Sequence, residues 1–261
     1  MGKKLMAFIG ILAAGLIIIS GCAKEEEAPA APTGVSYQIL DNQGLKITWD
    51  EVEDADGYYI YVDGVIIDTV EETEWSENPL THFGKFELAA YNDEGESETV
   101  EVVDMTCVKN EGVVLGTGQA TEPSLLYWTG SGFDRLSTAD SFDAWGVVAR
   151  AYGDPYVPDT WDENAVGFIV ANLHGKYTGS ETGYVALAGT DHNIAPDTIN
   201  ASDVIIGHGT TIENTYFFVK APDGYIWRVK VTGIQSANDG YNFTITVWRS
   251  PLEDFKAFPQ D

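Results

Sequence analysis

The sequence predicts an all-β chain, a small sandwich followed by a larger β sandwich or partly open barrel. Three observations point there. Short runs of alternating polar and apolar residues recur from about position 35 to 247, turn residues separate them, and no window carries the apolar period of a helix of average length. With 261 residues the chain has room for one or two domains. At 44% hydrophobic residues it is too apolar for general disorder.

The N-terminus comes first. Lys3 and Lys4 precede an unbroken apolar stretch, Leu5 to Ile19, that ends on small residues, the layout of a bacterial export signal. Fifteen residues rise about 22 Å as a helix, short of a hydrocarbon core of roughly 30 Å. Acidic residues follow where a stop-transfer signal would be basic, so a retained transmembrane helix is the second choice. Ile19-Ser20-Gly21-Cys22 resembles the lipobox of bacterial lipoproteins. The resemblance implies a signal peptide over 1–21, cleavage before Cys22 and acylation of its thiol, with membrane lipid as partner. The folded part is then expected outside the cytoplasm, anchored in the cell envelope. Residues 22–32, rich in Glu, Ala and Pro, read as an extended tether.

Charge narrows the partners. Acidic residues number 41 against 14 basic ones, a formal charge of −27, which sets the chain against the polyanionic backbone of nucleic acids. Cations, neutral ligands and locally basic protein surfaces stay open. With Cys22 given to lipid, Cys107 has no intrachain partner, so disulfides are not the source of stability. Cys107 lies in a short link, DMTCVKNEG, and reads as a buried, inert thiol, with intermolecular pairing as the alternative.

From 33 to 105 the strand candidates are Val35 to Leu40, Gly44 to Trp49, Tyr58 to Val62, Val65 to Val70, Phe86 to Tyr91 and Thr99 to Val103. Asp63-Gly64 between YIYV and VIID is a strong hairpin signal. Leu45, Ile47 and Trp49 share one face of their strand, as do Tyr58 and Ile60 of theirs. Tyr59 and Tyr61 point to the second face, where cross-strand packing is the economical reading. The phrases GLKITW, GYYIY and FELAAYNDEGES, with Pro32 and Val35 before them, resemble a fibronectin type III domain. That family implies a seven-stranded Ig-like sandwich with Trp49 in the inter-sheet core. One position departs from it: two residues before Phe86, where the family has its corner tyrosine, stands Gly84, so Phe83 or a shifted loop has to fill that volume.

The second domain is expected over 111–261. Tyr216 to Lys220, the turn Pro222-Asp223-Gly224, the alternating Trp227, Val229 and Val231, and then Tyr241, Phe243, Ile245 and Val247 read as an antiparallel meander. Upstream, Gly112 to Leu115, Leu125 to Trp128, Trp145 to Ala151, Val166 to Leu173, Gly183 to Leu187 and Val204 to Gly207 add strands. YFFVKAPDGYIWRVKVTGI with GYNFTITVW is similar to the closing strands of HmuY-like haem-binding lipoproteins. The two haem-ligating histidines of that family have no matching positions here.

Candidate chemistry is sparse. None of His82, His174, His192 and His208 falls in a metal-binding spacing. His192 and His208 lie in turn-like segments and read as loop histidines, with a haem or metal role as the alternative. Ser-His-Asp catalysis lacks its GxSxG elbow. The loop YGDPYVPDTWDEN is more suggestive. Tyr152, Tyr156 and Trp161 could stack on a sugar or a protein side chain, and Asp154, Asp159 and Asp162 offer hard oxygen ligands for Ca²⁺, although a plain surface excursion fits as well. The leading expectation is a non-catalytic, membrane-anchored surface lipoprotein without a cofactor, binding a protein or glycan of the envelope or surroundings. A haem- or glycan-binding lipoprotein is the main rival, and a carboxylate-dependent glycan hydrolase the third reading.

Overall fold

In the computed structural model, residues 27–117, 122–138, 141, 143–151, 165–173, 177–188, 191–201, 203–208, 215–237 and 240–261 are described. They form two β sandwiches and one short 3-10 turn at Ala171–Leu173. The first eight strands are β1 (Ser36–Leu40), β2 (Gly44–Thr48), β3 (Gly57–Val62), β4 (Val65–Val70), β5 (Glu74–Glu77), β6 (Lys85–Asn92), β7 (Gly95–Glu96) and β8 (Val100–Asp104). One sheet runs β1-β2-β5. The other runs β4-β3-β6, with β7 and β8 both paired to β6, and every pairing is antiparallel. This is the Ig-like arrangement that the fibronectin type III resemblance implies.

Alternation explains the core. Leu45, Ile47 and Trp49 from one sheet meet Tyr58, Ile60, Phe86 and Leu88 from the other, all of them buried. The Trp49 and Tyr58 rings meet edge to face at 5.1 Å. Tyr58 Oη also accepts a bond of 2.9 Å from the Val52 amide, so this core ring has its polar tip satisfied. The Asp63-Gly64 hairpin has positive φ at both residues (49° and 76°), the condition for a turn whose twist matches its strands. Residues 27–32 lie along the first sandwich: Pro29 and Pro32 are buried, and Asn92 Nδ2 donates to the carbonyls of Glu27 (3.0 Å) and Asp54 (3.1 Å).

The second sandwich comprises β9 (Val108–Gly116), β10 (Leu125–Trp128), β11 (Phe133–Leu136), β12 (Gly146–Ala151), β13 (Ala165–Val170), β14 (Tyr184–Leu187), β15 (Asp203–His208), β16 (Thr215–Lys220), β17 (Ile226–Ala237) and β18 (Gly240–Arg249). Its sheets run β11-β10-β12-β13-β15 and β14-β16-β17-β18-β9. Of the two architectures left open by the sequence, the structure takes the sandwich. The meander expected in the last third is β16-β17-β18. Phe168 packs against Phe217 (4.8 Å) and Phe243 (5.1 Å), and Trp145 against Trp227 (5.6 Å), to close the core between the sheets.

After β18 the chain turns back as a strap, residues 250–261, that joins the two sandwiches. Phe255 and Ala257 enter the core of the first sandwich, whereas Phe258 packs with Phe218, Ile226 and Trp248 on the outer face of the second. The Lys256 amide donates to Asn42 O (2.7 Å), and Lys256 O accepts from the Ala195 amide (2.8 Å). Arg228 holds the strap from below. Its guanidinium is 0% exposed, lies 3.9 Å from the Trp248 ring centroid, and donates to Asn193 Oδ1 (2.6 Å), Pro259 O (2.9 Å) and Asp261 Oδ1 (2.9 Å).

Candidate functional site

The outer face of the first sandwich carries a row of aromatic rings. β3 alternates, so Tyr58 and Ile60 enter the core while Tyr59 and Tyr61 face outward. On β6, Tyr91 is register partner to Gly57, and Ala89 to Tyr59. Tyr91 therefore comes to the same face, two residues along the strand. Gly57 makes room for it: a Cβ there would lie 2.7 Å from Tyr91 Oη. Tyr59 and Tyr91 stack at 4.3 Å with 16° between their planes, and Tyr61 meets Tyr59 edge-on at 6.3 Å. Ala89 lies outside the inner core and is nevertheless 0% exposed, because the rings roof it over. The three tyrosines themselves are half-buried, so each keeps part of its surface open to solvent.

Carboxylates frame this row. Tyr61 Oη donates to Glu96 Oε2 on β7 at 2.5 Å. Burial first, and then this bond and the charge of Glu96, push the Tyr61 phenol up to about 12. Among the described residues no cation pairs with Glu96. On the same face of β6 and β8, Glu87, the register partner of Tyr61, and Glu101 share the one ammonium of Lys85, at 3.2 and 3.0 Å. The Tyr91 end of the row borders loops that hold Asp54, Asp56, Asp93 and Glu94, with Asp56 donating its amide to Tyr91 O (2.8 Å). A row of partly open rings, two stacked on each other and one edge-on, with acceptor oxygens along its rim can pack against a sugar ring and take hydrogen bonds or positive charge from it.

Tyr152, Tyr156, Trp161, Asp154, Asp159 and Asp162 lie outside the described residues, as does Cys22. His192 is exposed and stacks on Tyr216 (4.5 Å, 6° between planes), beside β16. His208 ends β15, a strand of the opposite sheet. Among the described residues no group of three or more His, Cys, Asp and Glu side chains is placed to hold a metal ion. No helix among them is long and apolar enough to cross a membrane. Burial pushes the Cys107 thiol up to about 12, against the pull of nearby Arg228, so it is protonated and a poor nucleophile at neutral pH.

Two concave regions flank these features. One, about 510 Å³, runs between the first sandwich and the strap, with Val62, Ile67 and Phe83 on its floor and His82 and Gln260 at its rim. The other, about 390 Å³, opens between β9 and the β10-β11 hairpin, lined by Glu111, Glu122, Asp134 and Arg135. Four carboxyl groups among the described residues are displaced from their ordinary range, and all go down. Hydrogen bonds outweigh burial at Glu77 and Asp261, bonds from Thr106 hold Asp104, and Lys256 holds Asp197.

Sequence reasoning placed Tyr59 and Tyr61 on the correct face but took them singly, as packing. The signal that marks the row is a third tyrosine of matching parity on the neighbouring strand, which needs the register of β3 on β6.

No protein-family model matches the chain. It is 32% identical over 136 residues to Exochitinase 1 of Streptomyces olivaceoviridis, an alignment that covers 50% of this chain and 22% of that protein. The chain thus spans about a fifth of that relative's length. Two solved structures are also similar. The crystal structure of FN3tt is 27% identical, over 30% of this chain and 92% of its own, with a TM-score of 0.27. A mutant of FN3tt is 28% identical, over 29% and 92%, with a TM-score of 0.26.

Proposed function

We propose that this chain is a polysaccharide-binding protein of the bacterial surface, held to the membrane through lipid on Cys22, and that it carries its ligand rather than cleaving it. The observation behind this reading is the outward row of Tyr59, Tyr61 and Tyr91 with Glu96 at its rim. Aromatic side chains offer an apolar face to the C–H side of a sugar, and a carboxylate can hold a hydroxyl or amine of the same ring. The likeness to a chitinase over half the chain favours a polysaccharide over haem as the ligand. The lipid anchor rests on the Ile19-Ser20-Gly21-Cys22 phrase.

The test is co-sedimentation of the full chain with insoluble chitin. The expected result is saturable depletion from the supernatant. A double variant, Tyr59→Leu with Tyr91→Leu, keeps an apolar cover over Ala89 but removes the flat rings, and should weaken binding about tenfold or more, the equivalent of about 1.4 kcal/mol, with an unchanged fold by circular dichroism. Binding that the double variant retains in full would remove the row from the account.

A further inference from the structure

We infer that the polysaccharide recognised by the tyrosine row carries free amino groups, so that its sugars are partly cationic. This rests on the glycan-binding reading above and adds the class of sugar. The argument is charge complementarity at one face. Glu96 lies beside Tyr61 with no cation among the described residues to neutralise it, and Tyr61 Oη engages Oε2, which leaves Oε1 to accept from a ligand. On the neighbouring strands of the same face, two carboxylates, Glu87 opposite Tyr61 and Glu101, share the single ammonium of Lys85. The far end of the row opens on Asp54, Asp56, Asp93 and Glu94. The whole chain has 41 acidic against 14 basic residues.

Each ligand class meets this face differently. A uronic-acid or sulphated polymer would bring like charge to an acidic strip and be repelled. A fully N-acetylated polymer could stack on the rings, yet its amide nitrogen would bring no positive charge to Glu96. An ammonium-bearing sugar satisfies both features at once, with its ring over the tyrosines and its charge shared between π faces and the Glu96 carboxylate. Because the face is exposed, this selection is screened by salt, whereas ring stacking is not.

The experiment compares the full chain on a series of β-linked N-acetylglucosamine polymers of rising deacetylation, at a pH where free amines are charged, in low and high salt. The expected result is tighter binding as deacetylation rises, with that gain removed by salt. Glu96→Gln should cut binding to the deacetylated polymer about fivefold and remove most of its salt-sensitive advantage over the acetylated polymer. Polylysine serves as a cation without sugar rings. Equal or tighter binding to the acetylated polymer, insensitive to salt, would overturn the inference and leave the glycan reading standing. Polylysine competing as well as the aminated polysaccharide, or aminated binding that survives Tyr59→Leu with Tyr91→Leu, would also overturn it, since net charge alone would then be the cause. Binding to no member of the series would overturn both readings together.

Discussion

Phe255 of the strap lies edge-on to Phe83 of the first sandwich, with ring centroids 6.5 Å apart and planes at 76°. Gly84, next to Phe83, stands where the fibronectin type III pattern has a tyrosine. A ring from the far end of the chain thus completes the core of the first sandwich.

Phe255→Ala should therefore destabilise the first sandwich, although position 255 follows the last strand of the second. Loss of a fully buried phenylalanine costs about 3–5 kcal/mol. Urea unfolding followed by a probe in each sandwich checks this: the first sandwich's midpoint should fall. Phe255→Leu should recover most of the loss.

Gly84 is a second point of strain. Its φ is +146°, and a Cβ there would lie 2.3 Å from Asp63 Oδ2 and 2.8 Å from Val62 Cγ1. Gly84→Ala should cost about 1–3 kcal/mol, because the residue must both leave its preferred backbone region and displace the Asp63 side chain. Thermal unfolding reads the loss. Asp63→Ala in the Gly84→Ala background should relieve little, since the bond that Asp63 Oδ1 accepts from the Lys85 amide is lost with it.

How far the sequence carried depended on the range of each interaction. Alternation in GLKITW, GYYIY and FELAAY located β2, β3 and β6 because one buried face leaves a period of two in the sequence. β5, Glu74–Glu77, was missed: only Trp75 of its four residues is buried, so no period forms, and its place is set by pairing with β2 and by Trp75 Nε1 donating to Asp68 Oδ2 (2.9 Å). The strap was also illegible. Phe255 and Phe258 sit in a short polar stretch without a period, and their partners are in different sandwiches. The tyrosine row fell between these cases, with two members visible by parity and the third supplied by register.

Acid should loosen the strap at Asp261. Burial pushes this carboxyl up, but bonds from Lys230 and Tyr216 and the charges of Arg228 and Lys230 outweigh it and hold the group below its ordinary range. Burial pulls Arg228 the opposite way for a cation, downward, yet a guanidinium starts so high that it stays charged. A depressed carboxyl contributes stability that is complete above its ordinary pKa and is lost as the pH falls through the folded one. Asp261→Asn should cost about 1–3 kcal/mol at neutral pH, less than a fully buried pair because Asp261 is 29% exposed, and should flatten the acid side of the stability curve. Denaturant midpoints across the acid range measure both effects.

Tyr61 gives an independent reading of the candidate site. Its phenol should ionise near 12 in the folded chain, above the ordinary value of 10.0, so the stability tied to this shift is complete below the ordinary value and lost as the pH rises through the folded one. Glu96→Gln should lower that ionisation, as seen in the ultraviolet absorbance of phenolate.

The strap also orders events in time. During synthesis, residues 33–104 emerge well before residue 255, so the earlier sandwich waits without Phe255 and Ala257 until the later one has been made. Contacts between such distant parts of a chain form slowly. The module made first is consequently the one completed last.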